Sequence, residues 1–411
     1  MNLKKRALED TIKRAVTTFP ALVLSGPRQS GKTTLLKMLF SKTHKYVNVE
    51  NPSIRVRAKE DPLAFLAQYS PPVIIDEIQN TPELLSYIKT RIDEEKIPGS
   101  WILSGSQNFV LLEKISQTLA GQAAILNLLP FSVGEALNDA YQARDISSWL
   151  NNLSSIDTIS HQSDRLIDEH LLRGFYPEMV SNKKVDRNIW CNSYITTYLE
   201  RDVRSLANIG DLNQFERFLI SCAVRTGQIL NLSDIARTIG ISVPTAKRWL
   251  SVLEAGFQVY LLYPYYDNIN KRLIKSPKIY FNDPALCTYL LGIHTKDTLE
   301  NNPLFGNIFE TMVVSDILKR FYNHGENPRM YYIRTQDGLE VDLVIEDARK
   351  LHLFEIKSSM TISPKHASSL LRLNNDLPEK IAQAAIISRS EENFTVTQTI
   401  KNYHWKSILS L

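Results

Sequence analysis

Two sets of residues in this 411-residue chain carry chemistry by their types and spacing. The first is Gly26-Pro27-Arg28-Gln29-Ser30-Gly31-Lys32-Thr33-Thr34, which fills every fixed position of G-x-x-x-x-G-K-[ST]. Two glycines let the backbone curl so that successive N–H groups point at phosphate oxygens. A helix opening near Lys32 adds the positive end of its dipole. On this reading Lys32 reaches the β- and γ-phosphates of ATP, and the Thr33 hydroxyl holds Mg2+. Further on, the apolar run Val73-Ile74-Ile75 ends in Asp76 and Glu77. Asp76 is placed to bind Mg2+ through water, and Glu77 to polarise the attacking water, which makes ATP hydrolysis the expected activity. A third apolar run, Trp101-Ile102-Leu103, ends in Ser104-Gly105-Ser106-Gln107-Asn108. Ser106 is a candidate γ-phosphate contact, against the plainer reading of a Ser/Gly turn.

The second set is Glu310, Asp342, Glu355 and Lys357. Glu310 shares a helical stripe with Val314, Ile317 and Phe321, so an acid sits on an apolar face, where it needs a partner or a metal. The runs 339–346 and 351–356 read as strands around the turn 347–350. A hairpin centred between Ala348 and Arg349 puts Asp342 opposite Glu355, with Lys357 on the same face. Val341, Leu343, Ile345, Phe354 and Ile356 fall on the other face, as a core surface. Facing carboxylates repel unless a cation lies between them, and Mg2+ prefers such ligands, so Asp342 and Glu355 are candidate metal ligands. Lys357 would orient water or stabilise a phosphorane. Against this, E-x-K is a frequent tripeptide on surface strands.

The elements that must position these residues follow from periodicity. A helix over 5–17 precedes a strand at 21–24. A second strand covers 45–49, and a charged helix over 55–67 is interrupted at Asp61-Pro62. Apolar strands at 72–79 and 100–108 complete an alternation of strands and helices, which implies a doubly wound parallel sheet delivering the acids to its carboxyl edge. Residues 140–168, rich in Asn, Ser and Asp, read as a loosely built connector or lid. Residues 231–250 read as a helix capped near Ser233, a turn at Gly240, and a second helix after Ser242. This is helix-turn-helix patterning, with 258–262 as a wing. Ser242, Thr245, Lys247 and Arg248 would read DNA, with Lys271, Arg272, Lys275 and Lys278 as phosphate contacts. The alternative is a winged helix used only for packing. A helix over 364–373 and a strand over 384–388 close the last sheet.

Composition sets the limits. Hydrophobic residues make up 43% and charged residues 22%, as in an ordinary globular protein of two or three domains. No apolar run approaches a membrane span, and the N-terminus lacks a signal-peptide core. Three widely spaced cysteines suit a reducing, cytoplasmic compartment. A net charge of +4 is too small to prove a nucleic-acid partner.

The order GPRQSGKTTL, VIIDEIQ, WILSGSQNF, SQTLAGQ and LLPFSVGEAL resembles the AAA+-like ATPases common in bacteria and archaea. The later segments LLRGFYPE, TYLERDV, RTGQILN and KSPKIYFND extend the resemblance over nearly the whole chain. In that family a C-terminal domain of long-unknown function follows the ATPase. Gln122 stands where relatives commonly have Arg, which implies slow turnover if that Arg touches phosphate. Arg173 and Arg201 could act as arginine fingers, in cis or from a neighbouring subunit of a homo-oligomer, against the plainer reading of structural ion pairs. The set Glu310, Asp342, Glu355-Ile356-Lys357 resembles the D…(D/E)-x-K core of restriction-endonuclease-like nucleases.

The expected fold is α/β: a P-loop NTPase parallel sheet over 1–139, a helical connector over 140–212, a winged-helix domain over 213–270, and a small mixed α/β restriction-endonuclease-like domain over 271–411. The expected function is Mg2+-dependent ATP hydrolysis coupled to DNA binding or processing. The alternative is a nucleotide-gated switch whose last domain docks partners without cleaving.

Overall fold

The computed structural model describes residues 4–106, 118–137, 144–153, 165–198, 203, 211–266, 276–335 and 337–410. Its first sheet contains β1 (Ala21–Ser25), β2 (Lys45–Asn48), β3 (Val73–Asp76), β4 (Trp101–Gly105) and β5 (Ala123–Asn127). The strands are parallel in the order β2-β3-β4-β1-β5. Alternation along β1 explains the two layers of core. Ala21 and Val23 face a cluster with Leu84, Leu85, Ile88 and Ile92 of helix Leu84–Glu94. Leu22 and Leu24 face Leu35, Leu36 and Phe40 of helix Lys32–Phe40. Both helices bury residues at i, i+3 and i+4 spacing, the stripe a sheet-covering helix needs. The break expected at Asp61-Pro62 separates helices Pro52–Glu60 and Pro62–Gln68, and the Asp61 carboxylate caps the second at Ala64 N, 2.9 Å.

The connector expected to be loose holds a packed helix, Ile146–Asn152. Ile146, Trp149 and Leu150 share one buried face, and Trp149 Nε1 donates to Ile408 O at 3.0 Å. Three apolar residues at helical spacing outweigh their polar neighbours. Helices Arg165–Arg173, Pro177–Ser181, Arg187–Tyr198 and Leu212–Val224 follow. The helix-turn-helix pair is Leu232–Ile239 and Val243–Ala255. The first is capped by Asn231, not Ser233, because the Asn231 side-chain Oδ1 accepts from Asp234 N at 3.2 Å. Gly240, at φ +79°, ends it, and Ser242 caps the second.

A nine-stranded sheet spans the rest. It contains β6 (Gln228–Ile229), β7 (Val259–Pro264), β8 (Lys278–Phe281), β9 (Met330–Arg334), β10 (Glu340–Asp347), β11 (Lys350–Lys357), β12 (Ile381–Ser388), β13 (Phe394–Thr395) and β14 (Lys401–His404). Their order is β13-β14-β12-β11-β10-β9-β7-β8-β6. β7 and β8 pair antiparallel, so the boundary expected at 270/271 falls between two partnered strands. β7 is not a free wing, because Tyr263 and Pro264 pair with Tyr331 and Tyr332 of β9. The β10–β11 hairpin has the expected register, with Leu343 opposite Phe354 and Asp347 opposite Lys350. Ala348 and Arg349 take positive φ, as a two-residue turn requires. A bulge between Val341 and Val344 changes the expected facing, placing Val341 in the cluster with Val344 and Leu353 instead of with Leu343. The 3-10 turn Pro364–Ala367 and helix Ser368–Asp376 carry the chain to β12, parallel to β11. Helix Phe305–Asn323 lies in the largest core, which also takes in Phe131, Trp149, Phe175, Tyr280, Leu343 and Trp405. Among the described residues no helix is long and apolar enough to cross a membrane.

Candidate functional site

The parallel register sets the tips of β1, β3 and β4 side by side, with Ser25 opposite Gly105 and Asp76 opposite Ser104. The loop 26–31 leaves this edge and feeds helix Lys32–Phe40. Gly26 is required sterically, since a Cβ there would lie 2.1 Å from Leu128 O. Gly31, at φ +94°, is the helix N-cap. The loop is folded on itself: Lys32 Nζ donates to Gly26 O at 2.9 Å and Pro27 O at 2.8 Å. The Ser25 and Ser30 hydroxyl oxygens are buried with no partner among the described residues.

Asp76, 1% exposed, accepts from Thr33 Oγ1 at 2.7 Å, from Tyr46 OH at 2.9 Å and from Ser104 Oγ. Burial and then the Asp76 charge push the Tyr46 phenol well above its ordinary range, so it stays a donor. A hydroxyl and a carboxylate in contact beside the loop are a donor set that fits Mg2+. Glu77 takes a left-handed backbone at φ +59°, and its carboxylate accepts from Gln79 Nε2 and from Ser106 Oγ at 3.2 Å. Ser106 is therefore placed on the general-base candidate, and Gln79, which the sequence reading passed over, holds the same oxygen. A non-glycine residue held at positive φ beside a reactive carboxylate is a common site of stored strain.

A cleft of about 800 Å³ opens here, lined by Arg28, Gln29, Lys32, Thr33, Thr34 and Glu77 on one side. Pro177, Glu178, Trp190, Tyr194 and Tyr198 line the other, so the middle unit walls the phosphate loop. Arg6 also borders the cleft and was missed by the sequence reading. Its guanidinium is buried, bridging Glu135 Oε1 (3.0 Å), Ser30 O (2.9 Å) and Leu129 O (2.7 Å) over the Phe131 ring. Glu135 also accepts from Ala7 N and Ser132 N, while its own N–H donates to Ser132 Oγ at 3.2 Å. That Ser132-x-x-Glu135 capping box was the available signal. One step further, Asp316 and Lys319 of helix Phe305–Asn323 meet the same segment. Val133 N donates to Asp316 Oδ1 at 2.6 Å and Lys319 Nζ to Phe131 O at 3.0 Å. Burial lifts the Asp316 carboxyl to about 6 against the opposing pull of Lys319, whose own ammonium burial lowers.

Of the arginine-finger candidates and Gln122, the described residues bear on Arg173 and Gln122. Arg173 is no finger for this cleft, since its guanidinium binds Met179 O, Asn182 O and Val185 O. Arg201 lies outside the described residues. Gln122 bonds Asp93 at 2.5 Å, and its carbonyl receives Ala21 N, at the end of β1 opposite the loop. An arginine at 122 would not face the phosphates of its own chain.

The second candidate set is brought together, with one addition. Lys357 Nζ lies 2.6 Å from Glu355 Oε1 and 3.4 Å from Asp342 Oδ2. Asp342 Oδ2 also accepts from Ile356 N at 2.9 Å. Lys278, expected on a DNA-facing surface, is 3% exposed and sits among acids instead. Its Nζ is 2.7 Å from Glu340, 3.4 Å from Glu310 and 3.6 Å from Asp342 Oδ1. The β7–β8 pairing carries it inward, where a lysine must find carboxylates. Glu310 has a second partner in Tyr280 OH, at 2.5 Å. Burial and then Asp342 raise the Glu310 carboxyl to about 8 and the Glu355 carboxyl to about 7. Burial depresses the Lys357 ammonium, but Asp342 and Glu355 outweigh it and hold it up at about 12. Among the described residues no group of three or more His, Cys, Asp or Glu is placed to hold a metal ion. The residues present do not fit the Mg2+ expected between Asp342 and Glu355.

On the helix-turn-helix pair, Lys247 and Arg248 are exposed. Ser242 and Thr245 are occupied locally, with Ser242 Oγ capping Thr245 N and bonding its hydroxyl at 2.8 Å. Lys271, Arg272 and Lys275 lie outside the described residues, as do Gln107 and Asn108.

Comparison with known proteins divides the chain in three. Residues 18–137 match the family described as AAA domain. Residues 164–297 and 305–408 match two domains of unknown function, DUF8612 and DUF4143. Among solved structures, a Walker-type ATPase of Pyrococcus abyssi is 14% identical, with a TM-score of 0.43 over 69% of this chain and 94% of that one. Two uncharacterized proteins, one of Mycobacterium bovis and one of Mycobacterium tuberculosis, are each 30% identical over 403 residues, 97% of this chain and 83% of theirs. Aligned to these relatives over nearly its whole length, the chain belongs to their family, and its residues 18–137 match the AAA domain.

Proposed function

We propose that this protein binds Mg2+–ATP in the cleft, hydrolyses it, and uses the bound state to act on its C-terminal unit. The observation that carries this reading is the contact of Thr33 with Asp76 beside a loop that Glu77 overlooks. The loop from Gly26 to Thr34 cradles the phosphates with its N–H groups, with Pro27, Arg28, Gln29 and Ser30 as the span between the glycines. Lys32 must leave the Gly26 and Pro27 carbonyls to meet the β- and γ-phosphates, so loop opening accompanies binding. Thr33 directly, and Asp76 through water, are the residues to hold Mg2+, which when bound neutralises charge on the phosphates. Glu77, steadied by Gln79 and Ser106, takes the proton of the attacking water.

The output runs through Arg6, which joins Ser30 of the loop to Leu129 and Glu135, the segment on which helix Phe305–Asn323 is seated. Of the two fates considered for the last unit, the docking platform is favoured over DNA cleavage by Glu310, Asp342, Glu355 and Lys357. The favouring observation is the Lys278 ammonium among those acids. DNA remains a candidate partner through the exposed Lys247 and Arg248.

The test is ATP turnover by the full chain, with and without DNA. Lys32→Ala should abolish both nucleotide-induced thermal stabilisation and hydrolysis. Glu77→Gln should keep the stabilisation and lower turnover by about 100-fold or more. Unchanged hydrolysis in either variant refutes the assigned site. Stimulation by DNA that Lys247→Glu/Arg248→Glu removes would support the DNA partner, and indifference to DNA would eliminate it.

A further inference from the structure

The C-terminal acids present a puzzle that ATP turnover leaves aside. Four carboxylates, Glu310, Glu340, Asp342 and Glu355, converge from one helix and one hairpin. Such a convergence needs positive charge, and a divalent ion is one way to supply it. This chain supplies it from a different element. Lys278 belongs to β8, paired to β7 in register with Leu262. Its stem is buried and its ammonium lies within 3.6 Å of Glu310, Glu340 and Asp342.

An octahedral Mg2+ demands several oxygens at about 2.1 Å from one point. Asp342 cannot contribute freely. One of its oxygens faces Lys278, and the other accepts the Ile356 N–H and faces Lys357. Glu310 is shared between Lys278 and Tyr280, and Glu355 Oε1 is held by Lys357. The remaining oxygen, Glu355 Oε2, is buried without a hydrogen-bond partner among the described residues. One such oxygen is not a cage. A divalent ion placed among these acids would also lie against two ammonium groups, and the like-charge repulsion is strong at low dielectric.

We infer that the Lys278 ammonium is the resident cation of this cluster, so that the C-terminal unit takes no divalent metal, and that removing it turns the cluster into a site for Mg2+ or Mn2+. The acids then serve to fasten β8 to the long helix and to the β10 strand. This does not depend on the phosphate loop, and its test fails or succeeds independently of ATP turnover.

The experiment is a Mn2+ titration of the full chain without nucleotide, read by the paramagnetic resonance signal of free Mn2+. Wild type and Lys278→Arg should show no bound Mn2+ that Asp342→Asn removes. Lys278→Ala should bind one equivalent, lost again in Lys278→Ala/Asp342→Asn, and its melting temperature should rise with Mn2+ where that of wild type does not. Lys278→Met, which keeps the packed stem, replaces Lys278→Ala if the latter does not fold. Bound Mn2+ in wild type that disappears in Asp342→Asn or Glu355→Gln overturns the inference. So does a folded Lys278→Ala or Lys278→Met that binds none. Mn2+ in wild type that survives both Asp342→Asn and Glu355→Gln but is lost in Asp76→Asn lies at the phosphate loop and agrees with the inference.

Discussion

Arg6→Ala probes the joint between the phosphate loop and the rest of the molecule. The guanidinium makes a bidentate-capable fork used three ways, to Glu135, Ser30 O and Leu129 O. Truncation leaves the Glu135 carboxylate buried at 0% exposure. Breaking one partner out of a buried pair costs about 3–5 kcal/mol. Glu135 keeps two backbone N–H donors, which places the loss at the lower end. The two abandoned carbonyls add about 1 kcal/mol each, and water entering from the cleft offsets part of this. The expected destabilisation is about 3–5 kcal/mol. Urea unfolding should show a lower midpoint at unchanged slope. Arg6→Lys should recover little, because an ammonium cannot span three acceptors in a plane. In a double-mutant cycle with Glu135→Gln, the coupling should reach about 2 kcal/mol. Nucleotide-induced stabilisation should also shrink, since Ser30 loses its anchor. A loss below about 1 kcal/mol, or additivity with Glu135→Gln, would refute the assignment of Arg6 as the joint.

Gly26→Ala places a methyl 2.1 Å from Leu128 O, and carbonyls of a neighbouring strand end cannot step aside cheaply. It should cost about 3 kcal/mol or more and erase the nucleotide-induced rise in melting temperature. His170, packed against the Phe175 and Trp405 rings, has its imidazole pushed down to about 4, chiefly by burial. The unfolded chain takes up this proton near pH 6.5, but the folded chain does not until about 4. Stability is therefore full above pH 6.5 and falls as the pH drops towards 4, by up to about 3 kcal/mol. Urea midpoints at pH 7 and pH 5 should differ in that sense, and His170→Phe should reduce the difference. An equal difference in the variant would remove His170 from the account.

What was legible in the sequence was local or periodic. The phosphate loop, the acids after β3 and the hairpin register around Ala348-Arg349 each follow from patterns within a few residues. The site around Asp76 was half legible. Thr33 was in the motif, whereas Tyr46 and Ser104 reach Asp76 only because parallel pairing sets β2 and β4 on either side of β3. Lys278 was misread for a similar reason. In Lys275-Ser276-Pro277-Lys278 it looks like one cation in a basic run, and only its pairing with β7 turns it inward towards Glu310 and Glu340. The bulge after Val341 leaves no mark in the alternation of β10, because Val344 is as apolar as the residues it displaces. Arg6 was hidden in the charged stretch read as a helix over 5–17; the helix begins only at Glu9, and Arg6 precedes it, buried, while Lys13 and Arg14 are exposed. Its partner Glu135 lies beyond any local pattern except the capping box at Ser132.

The long helix Phe305–Asn323 bears on how the chain can be divided. Glu310 and Asp316 are six positions apart, about 9 Å along its axis. The seat beside the phosphate loop and the acid–lysine cluster are thus fastened to one short rod, though far apart in the chain. The same helix shares its core with Phe131, Trp149, Phe175 and Tyr280. The family boundary between 297 and 305 is therefore not a place to cut. A fragment beginning near residue 305 would present Phe309, Met312, Val313 and Phe321 to water with their neighbours missing. Exchanging last units between relatives would demand matching changes in segments that precede it by more than a hundred residues.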